Sequence, residues 1–311
     1  VDFIYPAELE SLQTFSGYGL TLVRIPFLWE RMQPRGLGPL DVTNVSHLDA
    51  VFQAAKQSNT KIILDLHNYG RYYGKPMQTQ DAALLSDVWL KMLNSFGDDP
   101  SLFAIELMNE PHDLPGGAAA WKSIMQSTVD AIRKVNSKVT ILIPGYSWQS
   151  ARFWQDNNKD LTIHEPANKI IYAAHQYFDS SYTGTYNEAT TGSRLRGAEL
   201  LEPFISWLKK NHVQGLITEY GAPNNDHIAL GMMDAMLQKV DTTPELLGAV
   251  YWASGPRWGK YPLSVEPTKE GTEKTITNVL YKYPTRTDPP SLPKYVKPGN
   301  IVKLKNSTTF F

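Results

Sequence analysis

A chain of 311 residues is long enough for two average domains or for one large α/β barrel. Its hydrophobic and charged fractions, 42% and 20%, are typical of globular proteins, and its net charge of −1 excludes the basic surface of a nucleic-acid-binding protein and a polybasic membrane patch. The lack of cysteine excludes disulfides, thiolate metal ligands and cysteine nucleophiles. No apolar run approaches the roughly 18 residues of a membrane span.

Short apolar runs alternate with amphipathic stretches along the chain. Apolar spacing predicts helices over 7–15, 43–57, 83–96, 118–135, 196–210 and 228–240. Compact, largely apolar runs predict strands over 20–26, 61–66, 102–108, 139–143, 169–174, 213–218 and 247–252. Continuous apolar strands are typical of parallel sheets covered on both faces, and strict alternation of strand and helix indicates βαβ units.

Both a doubly wound sheet and a closed barrel satisfy this alternation. The sequence has no glycine-rich dinucleotide fingerprint after a strand and no P-loop, which lowers the weight of a nucleotide-binding, doubly wound fold. Polar residues instead follow several different strands, and in a barrel the carboxyl ends of the strands converge on one face. We therefore predict an α/β fold of the (β/α)8 TIM-barrel type. The residues at these ends are Arg24, His67, Asn109, Glu110, His175, Tyr177, Glu219 and Trp252.

Two glutamates in this set suggest glycosidic bond hydrolysis, which uses a pair of carboxyl groups flanking the bond. Glu110 and Glu219 both follow apolar runs, so both should be partly desolvated, and desolvation raises a carboxyl pKa in a way that suits a general acid. One glutamate closing a strand is more often a salt-bridge partner or a solvated loop residue. Two of them on different strands, each with polar neighbours, favour catalysis.

The neighbouring residues have expected supporting roles. Arg24 would keep Glu219 ionised, Tyr177 would hold it through the hydroxyl group, and Asn109 would bond the sugar 2-OH. Trp252 would form the floor of a sugar subsite, or else be a barrel-core aromatic. Taken singly, His67 and His175 are each also compatible with a structural role, in which the ring nitrogens are hydrogen-bonded within the fold.

Together these motifs resemble glycoside hydrolase family 5. The matching segments are Leu22–Pro26, Leu64–Tyr69, Met108–His112, His175–Tyr177, Thr218–Gly221 and Tyr251–Trp252. The resemblance covers about residues 1–283 and fills all eight positions that this family uses at its site. It implies Glu110 as acid/base, Glu219 as nucleophile, retention of configuration, no metal or other cofactor, a polysaccharide substrate and secretion.

Finer motifs resemble the endo-β-1,4-glucanase branch of that family. They include the segment around Trp29, the pair His67-Asn68, and the segment around Trp148. In that branch Trp29 and Trp148 would line the cleft. A β-mannanase, xylanase or β-1,3-glucanase on the same scaffold, or an inactive glucan-binding protein, remains an alternative.

The N-terminal part of the barrel departs from the family pattern. If the strand that ends before Glu110 is the fourth, the strand that begins at residue 20 is the second. Only a helical stretch precedes it, so the usual first strand is missing. Three explanations follow: an N-terminus that has been cut off, a barrel with fewer strands, or a gap filled by residues 299–305 of the Pro-rich tail at 284–311, from the same chain or from a neighbour. The tail also fits a disordered linker remnant. A monomer is expected, with strand exchange through the tail as the route to an oligomer.

Overall fold

The computed structural model describes residues 9–268, 273–285 and 308–310. Its ten strands are β1 Leu22–Phe27, β2 Lys61–Leu66, β3 Arg71–Tyr72, β4 Lys75–Pro76, β5 Leu102–Glu106, β6 Thr140–Pro144, β7 Ile170–Gln176, β8 Gly215–Tyr220, β9 Leu246–Tyr251 and β10 Thr308–Phe310. Its α-helices are α1 Leu9–Gly17, α2 Trp29–Met32, α3 Val42–Gln57, α4 Ala82–Phe96, α5 Gly117–Arg133, α6 Trp154–Asn158, α7 Arg196–Glu199, α8 Glu202–Asn211, α9 His227–Thr242 and α10 Thr277–Leu280. No helix in the described part of the chain is long and apolar enough to span a membrane.

Eight of the strands form a closed parallel barrel in the order β1-β10-β9-β8-β7-β6-β5-β2. The predicted TIM-barrel class is therefore confirmed, and each of the seven predicted strands lies within two residues of its observed bounds. Strands β3 and β4 form a separate antiparallel hairpin beyond the carboxyl end of β2. The single helix predicted over 196–210 is two helices, α7 and α8. Pro203 lies in the first turn of α8, and because proline has no backbone N–H it starts a helix more readily than it continues one.

The last strand of the chain occupies the gap that the sequence left beside β1. Strand β10 pairs in parallel with β1 at Val23 and with β9 over Ala249–Tyr251. The tail segment 299–305, one of the three explanations offered for the gap, lies outside the described residues, as does the segment 1–8. Barrel closure by the C-terminal tail is thus seen at Thr308–Phe310.

Alternation along the strands divides the inside of the barrel into an apolar part and a polar part. One small core cluster takes one side chain from each of several strands near their amino ends, including Leu22, Ile63 and Ala104. Two residues further along, on the same face of the same strands, are Arg24, Asp65 and Glu106, each with no exposed surface. The larger core cluster packs the strands against the helices. Charged side chains are therefore concentrated near the carboxyl ends of the strands.

Candidate active site

Glu219 is fixed by two contacts at the carboxyl end of β8. The hydroxyl of Tyr177 donates to Oε1 at 2.6 Å, and Nη1 of Arg24 donates to Oε2 at 3.1 Å. The Glu219 side chain is 9% exposed, so little water screens this ion pair. Arg24 and Tyr177 thus contact different oxygens of the same carboxyl group. These are the two neighbours expected from the sequence, and they give the carboxylate a charge partner and a fixed orientation.

A break in the regular pairing of β8 accompanies this arrangement. The register between β8 and β9 shifts between Ile217 and Tyr220, and that between β7 and β8 shifts next to His175. Such irregularities re-aim side chains and recur beside active sites. Here two successive residues both reach the polar network: Thr218 donates to Glu106, and Glu219 contacts Arg24.

Glu110 lies in the loop after β5 and is more open than Glu219. Its side chain is 19% exposed, and Oε1 lies 2.9 Å from Nδ1 of His175. Burial raises the pKa of Glu110 to about 7, against the lowering effect of the nearby His67, Arg24 and His112. A carboxyl group that keeps its proton up to neutral pH is suited to donate it to a leaving oxygen.

His175 faces both glutamates as a neutral imidazole. Burial lowers the pKa of His175 to about 4, although the charge of Glu219 opposes the shift. Its Nδ1 lies 3.9 Å from Oε1 of Glu219 as well as 2.9 Å from Glu110. Among the described residues, Nε2 has no hydrogen-bond partner. The ring therefore touches both carboxyl groups without adding a positive charge above that pKa.

Arg24 joins the carboxylates below the site into one buried network. Nε lies 2.6 Å from Glu106, Nη2 lies 3.1 Å from Asp65, and Nη2 also donates to Oδ1 of Asn109 at 2.7 Å. Burial acts to lower the pKa of Arg24, but the charges of Asp65, Glu106 and Glu219 raise it overall. The guanidinium remains charged, and it holds Asn109 and Glu219 in a fixed relation to each other.

Two residues of this network were not singled out from the sequence. Glu106 accepts hydrogen bonds from Arg24, from Thr218 at 2.9 Å and from Gln149 at 2.9 Å. Gln149 is fully buried. A charged residue inside the apolar run 102–108 was a usable signal for Glu106, because buried charges require partners. Gln149 lies in a loop, where the sequence carries no comparable sign.

His67 and Trp252 form one wall of the site. Nδ1 of His67 lies 2.6 Å from Asp65, and its ring stacks on Trp252 with centroids 5.4 Å apart and planes 10° apart. Trp252 is half-buried, and Trp258 contacts its ring edge-on. Nδ2 of Asn109 lies 3.3 Å from Nε2 of His67. The structure thus brings these three predicted residues together beside Arg24.

The expectation that Trp29 lines the cleft is wrong. Trp29 has no exposed surface, its Nε1 donates to Gln33 at 3.2 Å, and its ring packs on Tyr72. The carboxamide oxygen of Asn68 accepts from the backbone N–H of Trp29 at 2.7 Å, and its nitrogen donates to Glu30 at 2.8 Å. An aromatic residue just beyond a strand can point outward into the core beneath the loop, and the sequence does not distinguish this from a position in the cleft. Asn68 supports the loops around β3 and β4.

Trp148, by contrast, is 47% exposed. Its ring stacks on His112, with centroids 4.4 Å apart and planes 14° apart, and His112 in turn contacts the ring of Tyr69 edge-on. Nδ1 of His112 lies 2.8 Å from the carbonyl oxygen of Glu110. Trp148 therefore lies on the same loop system as Glu110 and presents an accessible aromatic surface there.

The three groups at the centre are close enough to share a ligand. One carboxylate oxygen each of Glu110 and Glu219, and one ring nitrogen of His175, lie within 4.8 Å of one another. A divalent cation is one species that such a set could hold. The same spacing also suits two carboxyl groups that act on opposite sides of one scissile bond.

Comparisons with known proteins agree with this geometry. The profile of the cellulase family, glycosyl hydrolase family 5, matches residues 5–257. The chain is 31% identical over 288 residues to a probable endo-beta-1,4-glucanase B of Aspergillus oryzae, covering 91% of this chain and 83% of the relative. It is 32% identical over 272 residues to the endo-beta-1,4-glucanase B of Emericella nidulans, covering 86% and 80%. It also resembles the crystal structure of the Pseudomonas stutzeri endoglucanase Cel5A in complex with cellobiose, with a TM-score of 0.83, 32% identity, and coverage of 98% of this chain and 88% of that one.

Proposed function

Because the chain belongs to the cellulase family of glycosyl hydrolases, family 5, we propose that it cleaves internal β-1,4-glucosidic bonds of cellulose or a related β-glucan with retention of configuration. The observation that carries the retaining mechanism is the spacing of Glu110 and Glu219, whose carboxylate oxygens come within 4.8 Å. Retaining enzymes hold their two carboxyl groups about 5–5.5 Å apart, whereas inverting enzymes leave about 6.5–9.5 Å for a water molecule.

The reaction takes two displacements at the anomeric carbon. In the first, a carboxylate oxygen of Glu219 forms a bond to that carbon while the glycosidic C–O bond breaks, and Glu110 transfers its proton to the departing oxygen. In the second, Glu110 takes a proton from water as the water oxygen attacks the same carbon and Glu219 leaves. Glu110 ends protonated and Glu219 ionised, as both began.

The surrounding residues fit these two roles. Arg24 and Tyr177 orient the carboxyl group of Glu219, and burial raises the pKa of Glu110 to about 7, so that most of it keeps its proton at acidic pH. Asn109, fixed by Arg24, is available to the sugar 2-OH, and Trp252 offers an aromatic face to the reacting ring. Trp148 would bind a neighbouring sugar through its exposed face.

The printed names of the relatives support a β-1,4-glucan as substrate. The relative from Emericella nidulans is named an endo-beta-1,4-glucanase, that from Aspergillus oryzae a probable one, and the Pseudomonas stutzeri endoglucanase was solved in complex with cellobiose. A polymer of this size does not enter cells, so we propose that the protein acts outside the cell. Both displacement steps use only Glu110, Glu219 and water, so hydrolysis should continue in the presence of EDTA.

The stereochemistry of cleavage tests the proposal. Proton NMR on a short cello-oligosaccharide should show the β-anomer of the new reducing end first, with the α-anomer growing in later by mutarotation. Glu219→Ala, in the same assay, should release neither. Early appearance of the α-anomer would contradict retention, and faster cleavage of mannan, xylan or laminarin than of carboxymethyl cellulose would contradict the substrate.

Glu110→Ala separates the acid from the nucleophile. We expect kcat/KM to fall by roughly 10²–10⁴-fold on cello-oligosaccharides, whose leaving group needs a proton, and far less on an activated aryl cellobioside. Added azide should intercept the glycosyl-enzyme of this variant and give a β-glycosyl azide. With Glu219→Ala, azide attacks the substrate directly and should give the α-product. Equal losses on both substrates would remove Glu110 from the acid role.

A further inference from the structure

The loop that carries Glu110 is joined to the loop after β6 at several points. The hydroxyl of Tyr146 accepts from the backbone N–H of Leu114 at 3.0 Å, and the backbone N–H of Ser147 donates to the carbonyl of Pro111 at 2.8 Å. Pro111 and Leu114 both follow Glu110 closely in the same loop, so the two bonds hold that loop at two points. The two loops therefore form one connected unit over the face of the barrel that holds the site.

The second loop contains a left-handed turn. Ser147, Trp148 and Gln149 have φ values of 61°, 55° and 53°, so three successive residues with side chains adopt a conformation that favours glycine. Strained backbone of this kind persists where the surrounding structure fixes it, and it is concentrated at functional sites. The turn leaves Trp148 exposed and directs Gln149 into the barrel, where it is fully buried.

Every polar group of the Gln149 side chain is used there. Oε1 accepts from the backbone N–H of Glu110 at 2.7 Å. Nε2 donates to Oε1 of Glu106 at 2.9 Å and to the carbonyl of Ala173 at 3.3 Å. The backbone carbonyl of Gln149 accepts from the backbone N–H of His175 at 2.8 Å. One residue thus contacts the backbones of both Glu110 and His175, whose side chains are hydrogen-bonded to each other.

We propose that Gln149 is a positioning residue for proton transfer by Glu110, an inference that rests on the acid/base role proposed above. Glu110 itself has a φ of 44°, so its backbone is also held in the left-handed region. The carboxamide of Gln149 fixes that backbone from one side, and its anchor is Glu106, the buried partner of Arg24. The same guanidinium orients Glu219. Gln149 therefore fixes the position of the acid, Glu110, relative to the nucleophile, Glu219.

Gln149→Met removes all three side-chain hydrogen bonds while keeping the length of the side chain. We expect kcat/KM on cellotetraose to fall by about 10- to 100-fold, the range for an ångström-scale misplacement of a catalytic group. On an activated aryl cellobioside the loss should be below about threefold, because departure of that group needs no proton. A residue that only filled space or stabilised the fold would reduce both rates together.

Gln149→Glu keeps the acceptor for the Glu110 N–H and replaces the donor to Glu106 by a titratable group. The titratable groups that face this position are Glu106, Glu110 and His175, with Arg24 beyond Glu106. At low pH the introduced carboxyl shares a proton with Glu106 and holds the contact, whereas at higher pH two carboxylates repel each other. The deficit of this variant on cellotetraose should therefore grow as pH rises, while that of Gln149→Met should stay constant.

Glu110→Ala, measured beside both variants, separates failure of this inference from failure of the proposed function. If Glu110→Ala itself shows no dependence on the leaving group, the acid role falls. If it shows that dependence but Gln149→Met loses equally on both substrates, the positioning role of Gln149 is overturned. Should Gln149→Met fail to fold, as judged by circular dichroism, Gln149→Glu still decides, since a deficit independent of pH would contradict the proposal.

Discussion

The carboxyl group of Glu110 links catalysis to stability at the scale of single residues. Its pKa is about 7 in the folded protein and near 4.5 in an unfolded chain, so between these values the folded state holds a proton that the unfolded state has lost. Its contribution to stability is therefore present below about pH 4.5 and is lost as pH rises through 7. His175, with its pKa lowered to about 4, acts in the opposite sense: its contribution is present above 6.5 and is lost as pH falls.

Glu110→Gln should therefore stabilise the protein at alkaline pH, because a neutral amide has no ionised form to desolvate. We expect a gain of about 2 kcal/mol at pH 8, after allowance for the partial exposure of the side chain, or roughly 2–5 °C in Tm. At pH 4 the gain should vanish. Thermal melts of this variant and of Glu199→Gln, an exposed control, would test the sign. A gain of equal size at both pH values would show that ionisation is not its cause.

The outcome for individual residues shows what the sequence can predict. The sequence correctly predicted that Arg24, Tyr177 and Glu219 lie together, because residues at strand ends have a fixed place in a barrel. Trp29 was misplaced because an aromatic side chain beyond a strand can face either the cleft or the core. Gln149 was missed because its role depends on a left-handed turn, and no glycine marks that turn in the sequence.

At the scale of elements, strand β10 has a large effect on the fold although it is only three residues long. Three residues supply the pairing that closes the barrel: all three pair with β9, and Phe310 also pairs with Val23 of β1, so that neither strand edge is left open. The sequence could not define this strand, because three residues are too few to show a hydrophobic period. The other seven barrel strands are long apolar runs and were readily recognised.

Thr309→Pro tests the contribution of β10. Proline has no backbone N–H and cannot complete the ladder of a strand paired on both sides, so the variant should lose about 3 kcal/mol of stability. Thr309→Val preserves the backbone donor and should melt close to the parent protein. The measurement is denaturant unfolding of all three proteins. Identical midpoints for the proline and valine variants would contradict closure by this strand.

At the scale of the whole molecule, barrel closure and oligomeric state depend on the same segment. With β10 in the barrel of its own chain the protein would be a monomer, whereas exchange of the tail between chains would give a dimer. The α/β class followed from the alternation of strands and helices, and the choice of a barrel followed from the polar residues at the strand ends. The way in which the barrel closes did not, because pairing between residues near opposite ends of a chain leaves no local pattern.

Deletion of residues 286–311 should expose the edges of β1 and β9. We expect the shortened protein to melt at a lower temperature and to self-associate as its concentration rises, as judged by multi-angle light scattering, while the full chain remains monomeric. Cellotetraose hydrolysis should fall as well, since Arg24 lies on β1. A deletion variant with unchanged melting temperature, mass and activity would rule out closure by the tail.

The position of β10 also has a consequence during synthesis. Seven of the barrel strands have been translated by residue 251, but the eighth follows 57 residues later. At about 5–20 residues per second, a ribosome needs roughly 3–11 s to cover that distance. Throughout this interval the nascent barrel has two unpaired edges, and it cannot close around the Arg24 network until residues 308–310 emerge from the exit tunnel. The growing polypeptide is thus most exposed to misassembly with its neighbours on a polysome after nearly all of its core has been made.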